Sequence, residues 1–125
     1  MIVKRLLPTL KGRQAETAAC DYLQQHGLIL IAKNFRCRLG EIDLIMREQH
    51  TLVFIEVRYR HRKEYGSGAE SVNLNKRKKL LLTAEYYLLQ QQLVDRVPCR
   101  FDVLTISDHA QIEWIKDAFS YDSIR

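Results

Sequence analysis

The amino-acid sequence predicts a single α/β domain, with elements in the order helix, three-stranded meander, helix, strand and short strand. Apolar residues recur at three- and four-residue steps near positions 11–26 and 76–92, which is typical of amphipathic helices. Short runs rich in Ile, Val, Leu and Phe, separated by polar turns, predict the strands. At 125 residues, the chain is long enough to build one core without staples.

The first helix is predicted to run from about Lys11 to His26, after a tail at residues 1–10 that Pro8 closes. The residues on its repeating stripe are mostly small, so this helix could pack closely. Glu16 is the exception, because it lies on that small, apolar stripe. A carboxylate in such a place is either paired or functional, or it reaches water at the rim of the core.

Three strands are predicted at residues 28–38, 40–46 and 52–58, and acids interrupt the last two. Alternate residues of a strand share a face, so Glu41 and Asp43 point the same way. Glu56 and Arg58 likewise share a face of the next strand, and a short turn at 47–51 would make the two strands neighbours.

The expected cluster of three carboxylates and one guanidinium has two interpretations. Gathered carboxylates repel each other unless a cation lies among them, and oxygen ligands of this kind suit Mg²⁺ or Mn²⁺. Alternatively, this is a solvated polar face of the sheet, in which Arg58 pairs with Glu41 or Glu56.

Asn75 is predicted to cap a second helix at residues 76–92. The stripe of this helix that faces the core contains Lys76, Leu80, Ala84, Tyr87 and Leu88. Lys76 is therefore expected to point along the sheet edge toward the acids. Cations in the first helical turn work against the helix dipole, and a helix N-terminus loaded with base resembles a phosphate site.

Two further strands are predicted at residues 99–106 and 111–115. Asp102 lies inside the first of them and is expected to be structural, pairing with Arg100 or with a helix residue. The predicted organisation has three segments, which are the tail at 1–10, the domain at 11–117 and the tail at 118–125.

Positive charge is concentrated in one part of the chain. The net charge is +5, and residues 56–80 hold eight Lys and Arg against three Glu. Such a local field suggests a polyanion partner, nucleic acid or an anionic membrane, although a single basic run is more often a solvated charge run. Because the basic runs flank the acids, we expect nucleic acid, bound through Arg60, Arg62, Lys63, Lys76, Arg77 and Lys79, with a mobile basic loop at 59–68.

Several classes of protein are excluded by what the sequence lacks. No apolar run approaches the length of a membrane span, and no signal-peptide pattern is present, so a cytoplasmic protein is expected. Cys20, Cys37 and Cys99 are far apart and form no Cys-x-x-Cys pair, which argues against a zinc ribbon or a redox motif.

The motifs resemble a known nuclease superfamily. The spaced signature consists of Gly12-x-x-x-Glu16, Gly40-Glu41-Ile42-Asp43-Leu44-Ile45 and Phe54-Ile55-Glu56-Val57-Arg58. It resembles the PD-(D/E)XK superfamily, which includes restriction endonucleases and archaeal Holliday-junction resolvases. Together with residues 99–103, it resembles more closely the YraN family of bacterial proteins. The resemblance covers about residues 11–117 and implies a restriction endonuclease-like domain, with a central mixed sheet flanked by helices.

The resemblance also implies roles for individual residues. Asp43 and Glu56 would hold a divalent metal, Mg²⁺ or Mn²⁺, and the carbonyl of Val57 would add a ligand. Glu16 would help from the first helix, and Glu41 would be an extra ligand or an orienting group.

Arg58 departs from the superfamily pattern, in which this position is usually Lys. Arg stays protonated at any working pH, so Arg58 cannot be a general base, although it could stabilise charge on a phosphate in the transition state. The implied function is nucleic-acid binding, with DNA as the expected form and with metal-dependent cleavage of structured DNA. The alternative is a non-catalytic nucleic-acid-binding or protein-interaction domain with the nuclease fold. Junction-cutting relatives act as dimers, but no surface of this sequence identifies a dimer face.

Overall fold

The computed structural model describes residues 2–60, 72–107 and 111–120, with side chains from residue 13 onward. These residues form α1 (Ile2–Gln25), β1 (Ile29–Cys37), β2 (Gly40–Glu48), β3 (Thr51–Arg60), α2 (Leu74–Gln90), β4 (Cys99–Ser107) and β5 (Ile112–Phe119). The five strands make one sheet in the order β1-β2-β3-β4-β5. The predicted α/β class and element order are confirmed.

The sheet is mixed because of the way its strands are connected. Short turns join β1 to β2 and β2 to β3, and both pairs are antiparallel. The longer connection through α2 returns the chain in the same direction, so β3 and β4 are parallel. β5 then pairs antiparallel with β4 at the far edge.

Both faces of the sheet are covered. Side chains from alternate strand positions separate into two cores, so that Phe54 packs with α2 whereas Val53 and Ile55 pack with α1. The α1 core uses small residues, Ala15 and Ala19, which let that helix approach the sheet closely as predicted. The acids at the ends of β2 and β3 are therefore held between two helices.

The first helix is longer than predicted. It begins at Ile2 rather than near Lys11, and it runs through the segment that was predicted to be a tail. Pro8 lacks an N–H and leaves one carbonyl of the preceding turn without its helical donor, which weakens a helix without necessarily ending it. No helix in the described part of the chain has a stretch long and apolar enough to cross a bilayer.

The second helix is capped two residues earlier than predicted. Asn73 is the N-cap, since its side-chain oxygen accepts a 2.9 Å hydrogen bond from the backbone N–H of Lys76. Asn75 lies inside the first turn. The predicted apolar stripe is confirmed, and the buried residues of α2 are Leu80, Leu81, Thr83, Ala84, Tyr87 and Leu88.

The last strand is also longer than predicted. β5 continues to Phe119, which is buried and stacks its ring 5.0 Å from that of Phe101. Ala118 and Phe119, which were placed in the predicted tail, therefore belong to the sheet. Asp117 has a φ of 52°, and the register with β4 shifts between Phe101 and Val103, so a bulge interrupts the alternation that would have predicted this strand.

Candidate functional site

A cavity of about 580 Å³ opens at the end of the sheet, between α1 and α2. It brings together charged residues from four elements, namely Glu16, Glu41, Asp43, Glu56, Arg58, Lys76 and Lys79. All the acids that were expected to form the site line this cavity. We call it the acid cavity.

The acid cavity forms where β2 and β3 part. Their backbone pairing runs from Glu48 and Thr51 to Leu44 and Ile55. Asp43 comes next on β2, and its carboxylate accepts a 2.8 Å hydrogen bond from the backbone N–H of Val57. A side chain thus reaches across the gap between the two strands, and this places Asp43 beside Glu56.

Backbone geometry places the carbonyl of Val57 on the same side. The N–H and C=O groups of one strand residue point to the same neighbour. Because the N–H of Val57 points toward Asp43, its carbonyl oxygen also lies on the β2 side of β3. This orientation suits the ligand role that the sequence resemblance implies.

Asp43 is held in a setting that disfavours its charge. Burial, the neighbouring Glu56 carboxylate and a hydrogen bond with Glu56 together raise the pKa of Asp43 to about 8. The N–H of Val57 acts in the opposite direction, and Glu16 adds further repulsion. Asp43 therefore keeps a proton near neutral pH, and an added cation beside the pair would favour its charged form.

Two cations contact the deeper acid. The side chain of Glu56 is 5% exposed, and its Oε2 lies 2.5 Å from Nζ of Lys76 and 3.6 Å from Nη1 of Arg58. The prediction that Lys76 points from α2 toward the acids is confirmed. Its ammonium neutralises Glu56 in the absence of a metal ion.

The remaining acids lie toward the rim. Oε2 of Glu41 lies 3.1 Å from Nε of Arg36, with which it forms a salt bridge. Glu16 reaches the cavity from α1. Among the described residues, no group of three His, Cys, Asp or Glu side chains could hold a metal ion. A metal here would therefore depend on two carboxylates and the Val57 carbonyl, with Glu16 and Glu41 farther away.

The expected nucleic-acid-binding residues are not all in one place. Lys76 and Lys79 line the acid cavity. Arg77 is directed elsewhere, because its Nε donates to the carbonyl of Val72 and its guanidinium lies 5.4 Å from the ring centroid of Phe119. Arg60 is half-buried at the end of β3. Arg62 and Lys63, with most of the predicted loop, lie outside the described residues.

Two features of the site were not predicted. Asn73 and Asn75 both line the acid cavity. Gly40 begins β2 against α2, where an added Cβ would lie 2.8 Å from Oγ1 of Thr83. The glycine of the Gly-Glu-Ile-Asp motif was the only sequence signal of this close approach.

Asp102 has the structural role that was expected. Its carboxylate accepts hydrogen bonds from Nε of Arg100 at 3.0 Å and from Nε1 of Trp114 at 2.9 Å. Arg100 also donates to Glu48 at 2.6 Å. This network ties β2, β4 and β5 together at the opposite end of β2 from the acid cavity.

Fold and site together define the class of protein. A mixed five-stranded sheet, with helices on both faces and acids where two strands part, is an α/β architecture compatible with a restriction endonuclease-like single domain. The chain belongs to the family described as Uncharacterised protein family UPF0102, whose model matches residues 15–106. This is the YraN family that the motifs resemble.

Relatives from several bacteria are similar over most of their length. The UPF0102 protein of Nitrosococcus oceani is 46% identical over 116 residues, which cover 90% of this chain and 94% of the relative. That of Methylobacillus flagellatus is 50% identical over 111 residues, covering 87% and 96%. That of Legionella pneumophila is 44% identical over 110 residues, covering 87% and 93%.

Proposed function

We propose that this protein binds nucleic acid and hydrolyses phosphodiester bonds in structured DNA with the help of Mg²⁺ or Mn²⁺. The observation that carries the proposal is the pair formed by Asp43 and Glu56 at the point where β2 and β3 part. Burial, and then the neighbouring Glu56 carboxylate, raise the pKa of Asp43 to about 8, and cations border the pair. A divalent ion and a phosphate complement this arrangement of charge.

The residues fit the ion that the resemblance implies. Asp43, Glu56 and the carbonyl of Val57 would hold it, with Glu16 and Glu41 at the edge of the site. Hard oxygen donors of this kind are the ligands that Mg²⁺ and Mn²⁺ prefer. When bound, the ion would lower the pKa of a coordinated water and offset the negative charge of the phosphate.

The basic side chains have a separate task. Arg58 stays protonated, so it offers positive charge to phosphate oxygens and takes no proton. Lys76 contacts Glu56 and approaches the site from α2. It supplies an ammonium beside a β3 strand that carries Arg at the position where the superfamily usually has Lys. Lys79, farther along α2, extends the positive edge of the acid cavity.

The test is cleavage of branched, single-stranded and duplex DNA with Mn²⁺. We expect the wild type to cut at least one of these substrates, and Asp43→Asn to lose most of that activity while it still folds. The proposed activity is overturned if the wild type cuts none of them, or if Asp43→Asn cuts as well as the wild type.

A second function is favoured by the contact between Lys76 and Glu56. The ammonium already balances the buried carboxylate, so the site could bind nucleic acid without any metal. Mn²⁺ would then leave the melting temperature unchanged, whereas ion binding to the folded state would raise it. DNA affinity that does not change with salt would argue for a protein-interaction domain instead, because phosphate contacts weaken steeply as salt rises.

A further inference from the structure

A second groove of about 460 Å³ lies next to the acid cavity. It is formed by the end of β1, the turn into β2 and the exposed side of α2, and its lining includes Phe35, Arg36, Arg38, Leu39, Tyr86 and Gln90. We call it the Tyr86 groove. It contains none of the acids of the acid cavity, so its chemistry is different.

The Tyr86 groove exposes an aromatic side chain. Tyr86 is 42% exposed and Leu39 is 43% exposed, so two large side chains are accessible in one recess. The ring of Phe35 lies 6.3 Å from that of Tyr86, tilted by 34°, and supports it from the sheet. A supported, accessible aromatic ring is a surface on which a nucleic-acid base can stack.

The charges of the groove suit a phosphate backbone. Arg36, near the end of β1, and Arg38, in the turn that follows, are both exposed, and the groove lining includes no carboxylate. The side chain of Arg36 is 73% exposed even though its Nε contacts Glu41 at 3.1 Å. A single strand needs a surface on which its bases stack and positive charge beside its phosphates. Here the aromatic ring provides the first and the guanidinium groups provide the second.

The Tyr86 groove borders the acid cavity. Arg36 lines the groove, and its partner Glu41 lines the cavity. On α2, Lys79 faces the cavity and Tyr86 faces the groove, and the two positions are about 10 Å apart along the helix axis. A few nucleotides of extended strand can cover that distance.

We propose that the Tyr86 groove binds an unpaired nucleotide of the strand whose phosphate lies in the acid cavity. This deepens the proposed function and depends on it, because it specifies the substrate as DNA with a single-stranded segment. In continuous duplex, each base is stacked between its neighbours and cannot reach Tyr86. An unpaired base has faces available for an aromatic side chain.

The test measures DNA binding without metal, so that binding is separated from cleavage. Labelled oligothymidylate and a duplex of equal length are titrated with wild type, Tyr86→Ala and Tyr86→Phe. Leu89→Ala is the matched control, because Leu89 is a 69% exposed apolar residue on the same helix that is not part of the groove lining. We expect Tyr86→Ala to bind the single strand roughly tenfold more weakly and the duplex almost unchanged, while the other two variants match the wild type.

A spectroscopic measurement tests stacking in the wild type itself. A 2-aminopurine within the oligothymidylate should lose fluorescence when the wild type binds, and should lose much less with Tyr86→Ala. Tyr86→Phe keeps the ring and should quench as the wild type does. Loss of quenching in Tyr86→Phe would overturn stacking on this ring, whatever the melting temperature of Tyr86→Ala.

The outcomes separate this inference from the proposed function. Salt-dependent binding of DNA with no effect of Tyr86→Ala, or with equal losses for single strand and duplex, overturns the groove and leaves the acid cavity as the nucleic-acid site. Failure of the wild type to bind either DNA overturns both. In that case, the exposed stripe of Leu82, Tyr86 and Leu89 would be better explained as a protein contact.

Discussion

One carboxyl group, that of Asp43, determines how the candidate site responds to pH. In the folded protein its pKa rises from an ordinary 3.8 to about 8, first because it is buried and then because Glu56 repels its charge. Between these two values the folded protein keeps a proton that the unfolded chain releases. The stability that this proton confers is complete below about pH 4, and it is lost as the pH rises toward 8.

The substitution Asp43→Asn should remove this pH dependence. Asparagine can still accept the N–H of Val57 and resembles the protonated acid in shape. Without metal, we expect the variant to match the wild type near pH 4 and to be more stable by roughly 1–2 kcal/mol near pH 8, a modest value because the cavity is open to solvent. Urea denaturation across this range checks it. If the free energies of unfolding of the two proteins changed in parallel with pH, the assigned pKa would be contradicted.

Lys76 is expected to compete with a metal ion for Glu56. Lys76→Ala leaves that buried carboxylate with less positive charge nearby, so stability without metal should fall by about 1 kcal/mol. Mn²⁺ should then raise the melting temperature more in Lys76→Ala than in the wild type, because an ion replaces the missing ammonium. Lys78→Ala, an exposed position on the same helical turn, is the control. Equal Mn²⁺ responses in all three proteins would show that Lys76 and the ion do not share Glu56.

At the scale of elements, the site depends on how closely β2 approaches α2. A Cβ at Gly40 would lie 2.8 Å from Oγ1 of Thr83, a group already fixed by its 2.7 Å hydrogen bond to the carbonyl of Lys79. We expect Gly40→Ala to cost roughly 1–3 kcal/mol, as overpacking in a close contact does. Gly40→Ala combined with Thr83→Ala should cost less than the two single changes added together, and denaturant titrations measure this coupling. Additive losses would mean that β2 and α2 adjust independently.

The start of α2 offers a direct comparison of two asparagines. Asn73→Ala removes the side-chain oxygen that caps the helix and should lower stability by about 1 kcal/mol. Asn75→Ala should have little effect or be slightly stabilising, because alanine is the better helix former inside a helical turn. Thermal unfolding of the two variants distinguishes them. If Asn75→Ala lowered stability more than Asn73→Ala does, Asn75 would be the cap, as the sequence predicted.

Elements with regular patterns could be predicted from the sequence, and irregular ones could not. The apolar stripe of α2 and the short apolar runs of β2 and β3 predicted the elements that carry the site. The helix start was placed at Asn75 instead of Asn73, because the two positions carry the same residue type and asparagine caps helices well. The end of β5 was missed because the bulge near Asp117 breaks its alternation.

At the scale of the whole molecule, contacts between residues far apart in the sequence could be predicted only where the regular geometry of strands and helices determines them. Strand alternation placed Asp43 and Glu56 together, and helical spacing placed Lys76 near them. The parting of β2 and β3, which lets Asp43 bind the N–H of Val57, has no sequence pattern. The direction of Arg77 could not be predicted, because its guanidinium packs on Phe119, which belongs to the part of β5 that the sequence analysis placed in a tail.

The central claim is that the carboxylates of Asp43 and Glu56 share one divalent ion. Anomalous diffraction from a crystal soaked in Mn²⁺ tests it most directly. We predict a single strong peak bounded by Asp43, Glu56 and the carbonyl of Val57, and its loss in Asp43→Asn. The claim would be contradicted if a crystal soaked in saturating Mn²⁺ showed no such peak and Lys76 still contacted Glu56.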